Sequence, residues 1–152
     1  MSELTVQEMK KILSEEDTAT LCMANGDVPY AVPVSYAYID EKIIFHCALK
    51  GKKLDFIKKN PHVCMVVDRH PDRMKPHHPE GKCKYRFESV ICEGRARIID
   101  SVEERYQYLL KFLKYFNVRL SVSDDKPLLP EAAEKCGVVI IEIIEMSGRK
   151  KD

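Results

Sequence analysis

A mainly β, antiparallel protein of six strands with flanking helices, arranged as a barrel or a sandwich, is what this 152-residue sequence predicts. Three observations carry that expectation. Short β-rich runs follow one another through tight turns, which favours antiparallel pairing. No regular alternation of strand and helix marks a parallel sheet. Two substantial helical patterns stand apart from the strands, one near the N-terminus and one after residue 100. There is no internal repeat, and the length suits one domain of about 100–200 residues.

The first helix starts at a capping box. Thr5 is placed to cap the N–H of Glu8, and Glu8 to reach back, with Leu4 and Met9 as a hydrophobic staple. It is expected to run to about Ser14 with Val6, Met9, Ile12 and Leu13 inward. Thr18 to Ala24 reads as a strand, Asn25-Gly26-Asp27 as a hairpin turn, and Tyr30 to Ile39 as its partner. Pro33 removes a ladder hydrogen bond, so its position belongs at an edge or a bulge. After the turn Asp40-Glu41-Lys42, Ile43 to Cys47 is a third strand. A short helix follows over Leu54 to Lys59, with Leu54 and Ile57 inward, and Asn60-Pro61 stops it.

Val63 to Val67 is the fourth strand, and His70 to Lys84, with three prolines and no period, is a loop. Tyr85 to Ile99 alternates over a long strand, with a bulge or bend expected at Gly94. Ser101-Val102-Glu103-Glu104 opens a second capped helix, with Val102, Tyr106, Leu109, Leu110, Leu113 and Phe116 on one stripe. Val118 to Cys136 reads as mostly irregular, with a short helical turn after Pro130, and Val138 to Ile144 as a last buried strand.

An apolar fraction of 45% and a charged fraction of 32% describe a soluble globular chain. No apolar run reaches the roughly 18–20 residues that cross a bilayer, and MSELTVQEMKK has no signal-type apolar core. The expectation is a cytoplasmic protein without a membrane partner. No two of the six cysteines are spaced as CxxC, and most lie in strand-like runs, so they read as buried, reduced thiols. The net charge of +1 conceals two basic blocks. Lys50 to Lys59 holds five lysines and one aspartate, and Arg69 to Arg86 holds six Lys/Arg and two acids. Such blocks either attract an anionic ligand or are solvated loops.

The chemistry concentrates in PYAVPVSYAYIDEKIIFHCALKGKK, from Pro29 to Lys53. Gly51-Lys52-Lys53 opens a helix, where exposed N–H groups, the positive helix end and two ammonium groups suit a phosphate. Gly51 lets a ligand approach the backbone closely. The same three residues also fit an ordinary surface helix with solvated lysines. In Pro33-Val34-Ser35-Tyr36, alternation sends Val34 and Tyr36 to one face and Ser35 to the other. A planar ring against that strand can use backbone groups that Pro33 leaves unladdered. His46 lies five residues before Gly51, within reach of the same corner or serving only structure. Ser89 reaches a phosphate if the third and fifth strands pair, and is otherwise a surface serine.

His70, His77, His78 and Cys83 are the one metal-like group, but their spacing matches no standard site, and no metal is expected. GxSxG, HExxH, Walker and GxGxxG motifs are absent. Hard chemistry would therefore fall to a bound cofactor. Aromatics are not interleaved with the basic blocks as a base-stacking platform requires, so no nucleic-acid partner is expected.

Taken in order, ATLCMANGDVPYAVPVSYAYIDEKIIFHCALKGKKLDFIKKNPHVCMVV followed by CKYRFESVICEGRARII resembles the pyridoxamine 5′-phosphate oxidase-like FMN-binding split barrels, nearest the nitroimidazole-resistance-type branch. The likeness spans Thr18 to Phe116 and rests on FH-x-A-x-x-GKK-x-D with a later Tyr-x-x-x-Ser-Val strand and a glycine. It implies a six-stranded antiparallel split β-barrel holding FMN noncovalently at a homodimer interface. It implies Lys52 and Lys53 at the FMN phosphate, with Ser89 nearby. Pro33, Val34, Ser35 and Tyr36 would follow the ribityl chain and ring, and His46, Cys47 and Ala48 would line the pocket. Residues from the Arg69 to Tyr85 loop and the last strand would come from the partner subunit. The chain has no Trp and ends MSGRKKD, unlike the substrate-contacting C-terminal segment of the vitamin B6 oxidases. The resemblance therefore implies an FMN-dependent oxidoreductase that passes electrons to a small acceptor, aromatic or nitro-aromatic, with His46 donating to that acceptor. A non-catalytic flavin or haem carrier or sensor using the same pocket is the alternative.

Overall fold

The structure, a computed structural model, describes residues 1–70, 86–123 and 126–151. In chain order the elements are β1 (Ser2–Glu3), α1 (Val6–Glu15), β2 (Thr18–Asn25), β3 (Val28–Ser35), β4 (Ala37–Ile39), β5 (Lys42–Cys47), α2 (Lys52–Lys59), β6 (His62–Arg69), β7 (Phe87–Ile98), α3 (Val102–Leu120), α4 (Ala132–Lys135) and β8 (Gly137–Lys151). The strands form one sheet in the order β3-β2-β6-β7-β8-β5-β4, and β1 also pairs with β8. Every pairing is antiparallel.

The two end strands of that sheet are consecutive in the chain. β3 ends at Ser35 and β4 begins at Ala37, so Tyr36 alone links them. A sheet whose edges are tied by one residue has to curl on itself, and the result is an antiparallel barrel split along one seam. This is the expected split barrel, and the expected strand Tyr30 to Ile39 is broken at Tyr36 to make it. The ring of Tyr36 is fully buried; its hydroxyl donates to the Leu13 carbonyl at 2.8 Å and its N–H to the Asp17 carbonyl at 2.9 Å. Burial pushes its phenol far above the ordinary range.

Turn chemistry fixes the register. Asn25 pairs with Val28, which leaves Gly26-Asp27 as a two-residue turn, and the positive φ of 61° falls on Gly26. At the next hairpin both turn residues, Asp40 (φ 51°) and Glu41 (φ 59°), are left-handed. Glu41 is held there by an ion pair to Lys10. The β7–β8 register shifts between Glu93 and Gly94, as the sequence suggested. A Cβ on Gly94 would lie 2.5 Å from the Glu142 carbonyl oxygen, so only glycine fits the close approach.

The barrel interior is filled by Leu21, Met65, Val67, Val90, Ile141 and their neighbours, capped by Leu13 and Ile12 of α1. A second cluster, with Ile44, Ile99, Leu109, Ala133 and Ile140, lies under α3 and α4. Arg105 is buried there because its guanidinium donates to three carbonyls, those of Ala133, Ile99 and Asp100.

Several expectations are corrected. Val6 and Val102 are exposed, since each opens its helix before the buried stripe begins. α3 continues to Leu120, through residues read as irregular. Its capping box is half made: Ser101 accepts from the Glu104 N–H, while the Glu104 carboxylate takes Arg97. β8 runs to Lys151 rather than stopping near Ile144, because ladders to β7 and β1 carry the strand past its apolar half. Most of the proline-rich loop, with His77, His78 and Cys83, lies outside the described residues. Of the expected metal-like group only His70 is described, on Asp68, and no group of three metal-binding side chains occurs among the described residues. The five described cysteines are free thiols.

Candidate functional site at the barrel split

The seam has two edges. Among the described residues β3 is laddered to β2 alone. On β5, the rungs to β4 run from Lys42 to Ile44, so Phe45, His46 and Cys47 keep one edge free of β4. Both edges leave from Tyr36 and have no ladder between them, which places unpaired backbone N–H and C=O groups along a slot. From Tyr36 to Tyr30 the slot runs about 20 Å at ~3.3 Å per residue.

The far end of the slot is the β5–α2 corner. Gly51 stands at the N-cap with φ 147°, and no side chain caps the first turn. A Cβ there would meet nothing within 4 Å, so glycine is required by its dihedral and not by crowding. The N-terminal N–H groups of α2 therefore lack a side-chain acceptor. Lys52 reaches across to β3: its ammonium lies 4.5 Å above the Tyr30 ring and 5.8 Å from the Phe56 ring. Those rings are 5.2 Å apart. Lys53 is half-buried. Burial pushes the Cys47 thiol up, and the Lys53 charge works against it. The corner thus presents two lysines at a bare helix start, and such a corner can hold an anion.

The remaining predicted residues divide by face. Pro33 and Ser35 are exposed, whereas Val34 and Tyr36 point into the core. The latter two can offer a ligand backbone only. Cys47 leans over Gly137, where a Cβ would come within 3.3 Å of its sulfur, and Ala48 is exposed beside it. His46 faces the opposite way, exposed toward α3, with its ring edge-on to Phe112 at 4.8 Å between centroids. Ser89 is not brought to this corner within one chain. β5 and β7 both pair with β8 and not with each other, so the condition for its reach fails. Ser89 pairs with Arg149, while the corner lies by Gly137, roughly 40 Å away along β8. Ser89 instead lines a cleft of about 400 Å³ with Arg149, Glu3, Ser147 and Met146. Sequence reasoning missed Tyr30, Phe56 and Phe112. Tyr30, four residues ahead of a buried edge-strand valine, was the visible signal for an aromatic partner to a lysine.

These features define a class, the antiparallel split barrel with a lysine-flanked helix start at its seam. Residues 5–150 match the pyridoxamine 5′-phosphate oxidase family, and the chain belongs to that family. A curated relative, the uncharacterized protein RA0666 of Rhizobium meliloti, is 22% identical over 94% of this chain and 90% of its own length. Among solved structures, an FAD-binding protein from Mesorhizobium loti superposes with a TM-score of 0.72 at 24% identity, covering 99% of this chain and 98% of its own. A candidate 5-nitroimidazole antibiotic resistance protein from Bacteroides thetaiotaomicron gives 0.76 at 20% identity, covering 99% and 90%. The FAD and haem binding protein of Mycobacterium smegmatis gives 0.78 at 13% identity, covering 97% and 72%. No helix among the described residues is long and apolar enough to cross a membrane.

Proposed function

We propose that the protein is a flavoprotein that holds FMN along the barrel split and passes electrons from the reduced flavin to a small, nitro-aromatic acceptor. The observation that carries this reading is the bare start of α2, with Gly51 at its N-cap and Lys52 and Lys53 beside it, at the mouth of a slot with unladdered edges. The residues fit the group. A monophosphate matches the helix start and two ammonium groups. The edge of Pro33–Ser35 that faces away from β2, and the edge of residues 45–47 left free of β4, suit a ring rimmed with hydrogen-bonding atoms. The names of the Mesorhizobium and Mycobacterium structures, both flavin binders, support a flavin. The Gly51-Lys52-Lys53 corner is matched to one monophosphate, which is the ground for FMN, whereas the two named structures bind FAD. Flavin, when bound, supplies the redox chemistry, and the protein binds, orients and screens it.

A homodimer with the cofactor at its interface is part of the proposal. Ser89 and Arg149 then serve the partner's pocket, which accounts for their distance from the corner of their own chain. His46 is assigned to the acceptor, to which its exposed imidazole donates. That same exposed imidazole, together with the haem named for the Mycobacterium structure, supports the second reading, a flavin or haem carrier or sensor.

The test is the absorbance spectrum and released-cofactor mass of protein purified without added ligand, repeated for Lys52→Ala/Lys53→Ala. Flavin bands with the mass of FMN are expected, with occupancy after gel filtration falling about tenfold or more in the double variant, as loss of charge-assisted bonds implies. Unchanged occupancy removes the corner as anchor. A Soret-type band selects the haem reading, and flavin bound without turnover of any nitro-aromatic selects the carrier.

A further inference from the structure

We infer that Cys22 and Cys64 form a cross-strand dithiol, a modification site on the outer face of the barrel that is oxidised to an intrachain disulfide by small disulfides of the glutathione class. The site is independent of the split and of the flavin reading.

The register carries the argument. Cys22 of β2 stands directly opposite Cys64 of β6 in an antiparallel ladder, at its last rung, next to Leu21↔Met65. Residues facing each other in such a ladder have Cα atoms about 4.5–5.5 Å apart and side chains on one face. That separation falls within the ~4.4–6.8 Å that a disulfide spans. The face is the outer one, since the flanking Leu21, Met23, Val63 and Met65 point into the core. Both thiols are free and half-exposed. Burial pushes the Cys64 thiol up, and the neighbouring Cys22 and Glu93 add to that in turn. Among the described residues no other two cysteines face each other across a ladder. Cys92 is fully buried opposite Met65, and Cys47 pairs with Gly137.

The chemistry balances as two exchanges. One thiol gives up its proton, and its sulfur attacks a sulfur of the glutathione disulfide. The glutathione S–S bond breaks, one glutathione thiol leaves, and a mixed disulfide remains. The second thiol, already opposite, loses its proton and attacks the protein sulfur of that mixed disulfide, expelling the second glutathione. Two electrons pass from the protein to the small disulfide, and both protons end on the two glutathione thiols. Because Cys22 also lies opposite Ala31, the bond would staple β6 to the strand that carries β3, one rung from the slot edge.

The test is incubation of the full-length protein with oxidised glutathione, followed by intact mass, nonreducing gel and peptide mapping. The expected result is a monomeric chain lighter by two hydrogens, with one linked peptide pair joining Cys22 to Cys64. Cys22→Ser and Cys64→Ser should each abolish that link and stop at a glutathione adduct on the remaining thiol. The inference is overturned if the linked pair involves other cysteines, if the bond joins two chains, or if both thiols stay reduced while an unfolded control reacts. The wild-type peptide map decides the matter even if a serine variant fails to fold.

Discussion

The two ends of the barrel seam lie on the same pair of strands, about 20 Å apart, and are built in opposite ways. At one end Tyr36 is fully buried, donates both its N–H and its hydroxyl to carbonyls of the α1 region, and ties the sheet's first edge to its last. At the other end Gly51 sits in open space at a dihedral that other residues avoid, the helix start is uncapped, and two lysines open the helix. At the closed end both donors of Tyr36 have carbonyl partners inside the protein. The open end leaves helix N–H groups without a side-chain partner and surrounds them with positive charge. Stability is concentrated where the seam closes, and binding capacity where it does not.

Substitutions at the two ends should therefore separate folding from cofactor retention. The largest effect is expected for Tyr36→Ala, which leaves a core cavity and should cost about 3–5 kcal/mol in urea denaturation. Tyr36→Phe keeps the packing but strips the Leu13 carbonyl of its donor, and about 1–3 kcal/mol is expected. In both, flavin affinity per folded molecule should be nearly unchanged; a large loss of affinity would mean that the closed end also shapes the pocket. Gly51→Ala comes next. Nothing blocks the added methyl, but a φ of 147° is strained for alanine, so roughly 1–3 kcal/mol should be lost. This variant should weaken flavin retention as well, because relief of the strain reorients the α2 start. A G51A protein with wild-type stability and retention would show that the dihedral is incidental.

The two lysines sharpen the same contrast. Lys52→Ala removes the cation over Tyr30 and should cost about 0.5–1 kcal/mol of stability, readable as a small shift of the urea midpoint. Lys53 has no such ring partner, and Lys53→Ala should leave the midpoint within about 0.5 kcal/mol while still lowering flavin retention. Equal stability losses in the two variants would mean that the Tyr30 contact contributes nothing.

Much of this arrangement was legible in the chain. Alternation, the Gly26 turn, the Gly94 irregularity and the Gly51 corner are local signals, and each has a local physical cause. What sequence reasoning could not supply was set by partners distant in the chain. Tyr36 looked like one more strand residue, and only its bonds to Leu13 and Asp17 make it the seam. Arg105 falls on a helix stripe where charge is unexpected, and its burial depends on three carbonyls from two other segments, Ile99-Asp100 and Ala133. β8 outruns its hydrophobic pattern because backbone pairing with β7 does not need apolar side chains. Ser89 shows the converse: its motif was visible, but the strand order carries it away from the corner it was expected to join. Lys52 stands out in the sequence as a cation at a helix start, yet its ring partner, 22 residues earlier, belongs to the opposite edge of the slot.

The smallest effect lies at the α1 support of the closed end and is read through pH. Glu8 completes the α1 capping box on Thr5 and accepts from the Lys150 ammonium of β8 at 2.7 Å, so one carboxylate links the helix start to the last strand. Those bonds, Lys150 first, lower its pKa from the ordinary 4.5 to about 2. A carboxylate with a depressed folded pKa contributes stability above its unfolded value, and that contribution is lost as pH falls through the folded one. Stability should thus decline between pH 4.5 and pH 2 in the native protein, and Glu8→Gln should flatten that part of the profile while changing the neutral-pH midpoint only slightly, because the site is exposed and screened. Salt should reduce the difference further. If native and E8Q profiles are parallel across the window, the Glu8–Lys150 link does not hold α1 to the sheet, and the closed end of the seam rests on Tyr36 and the packing of Leu13 alone.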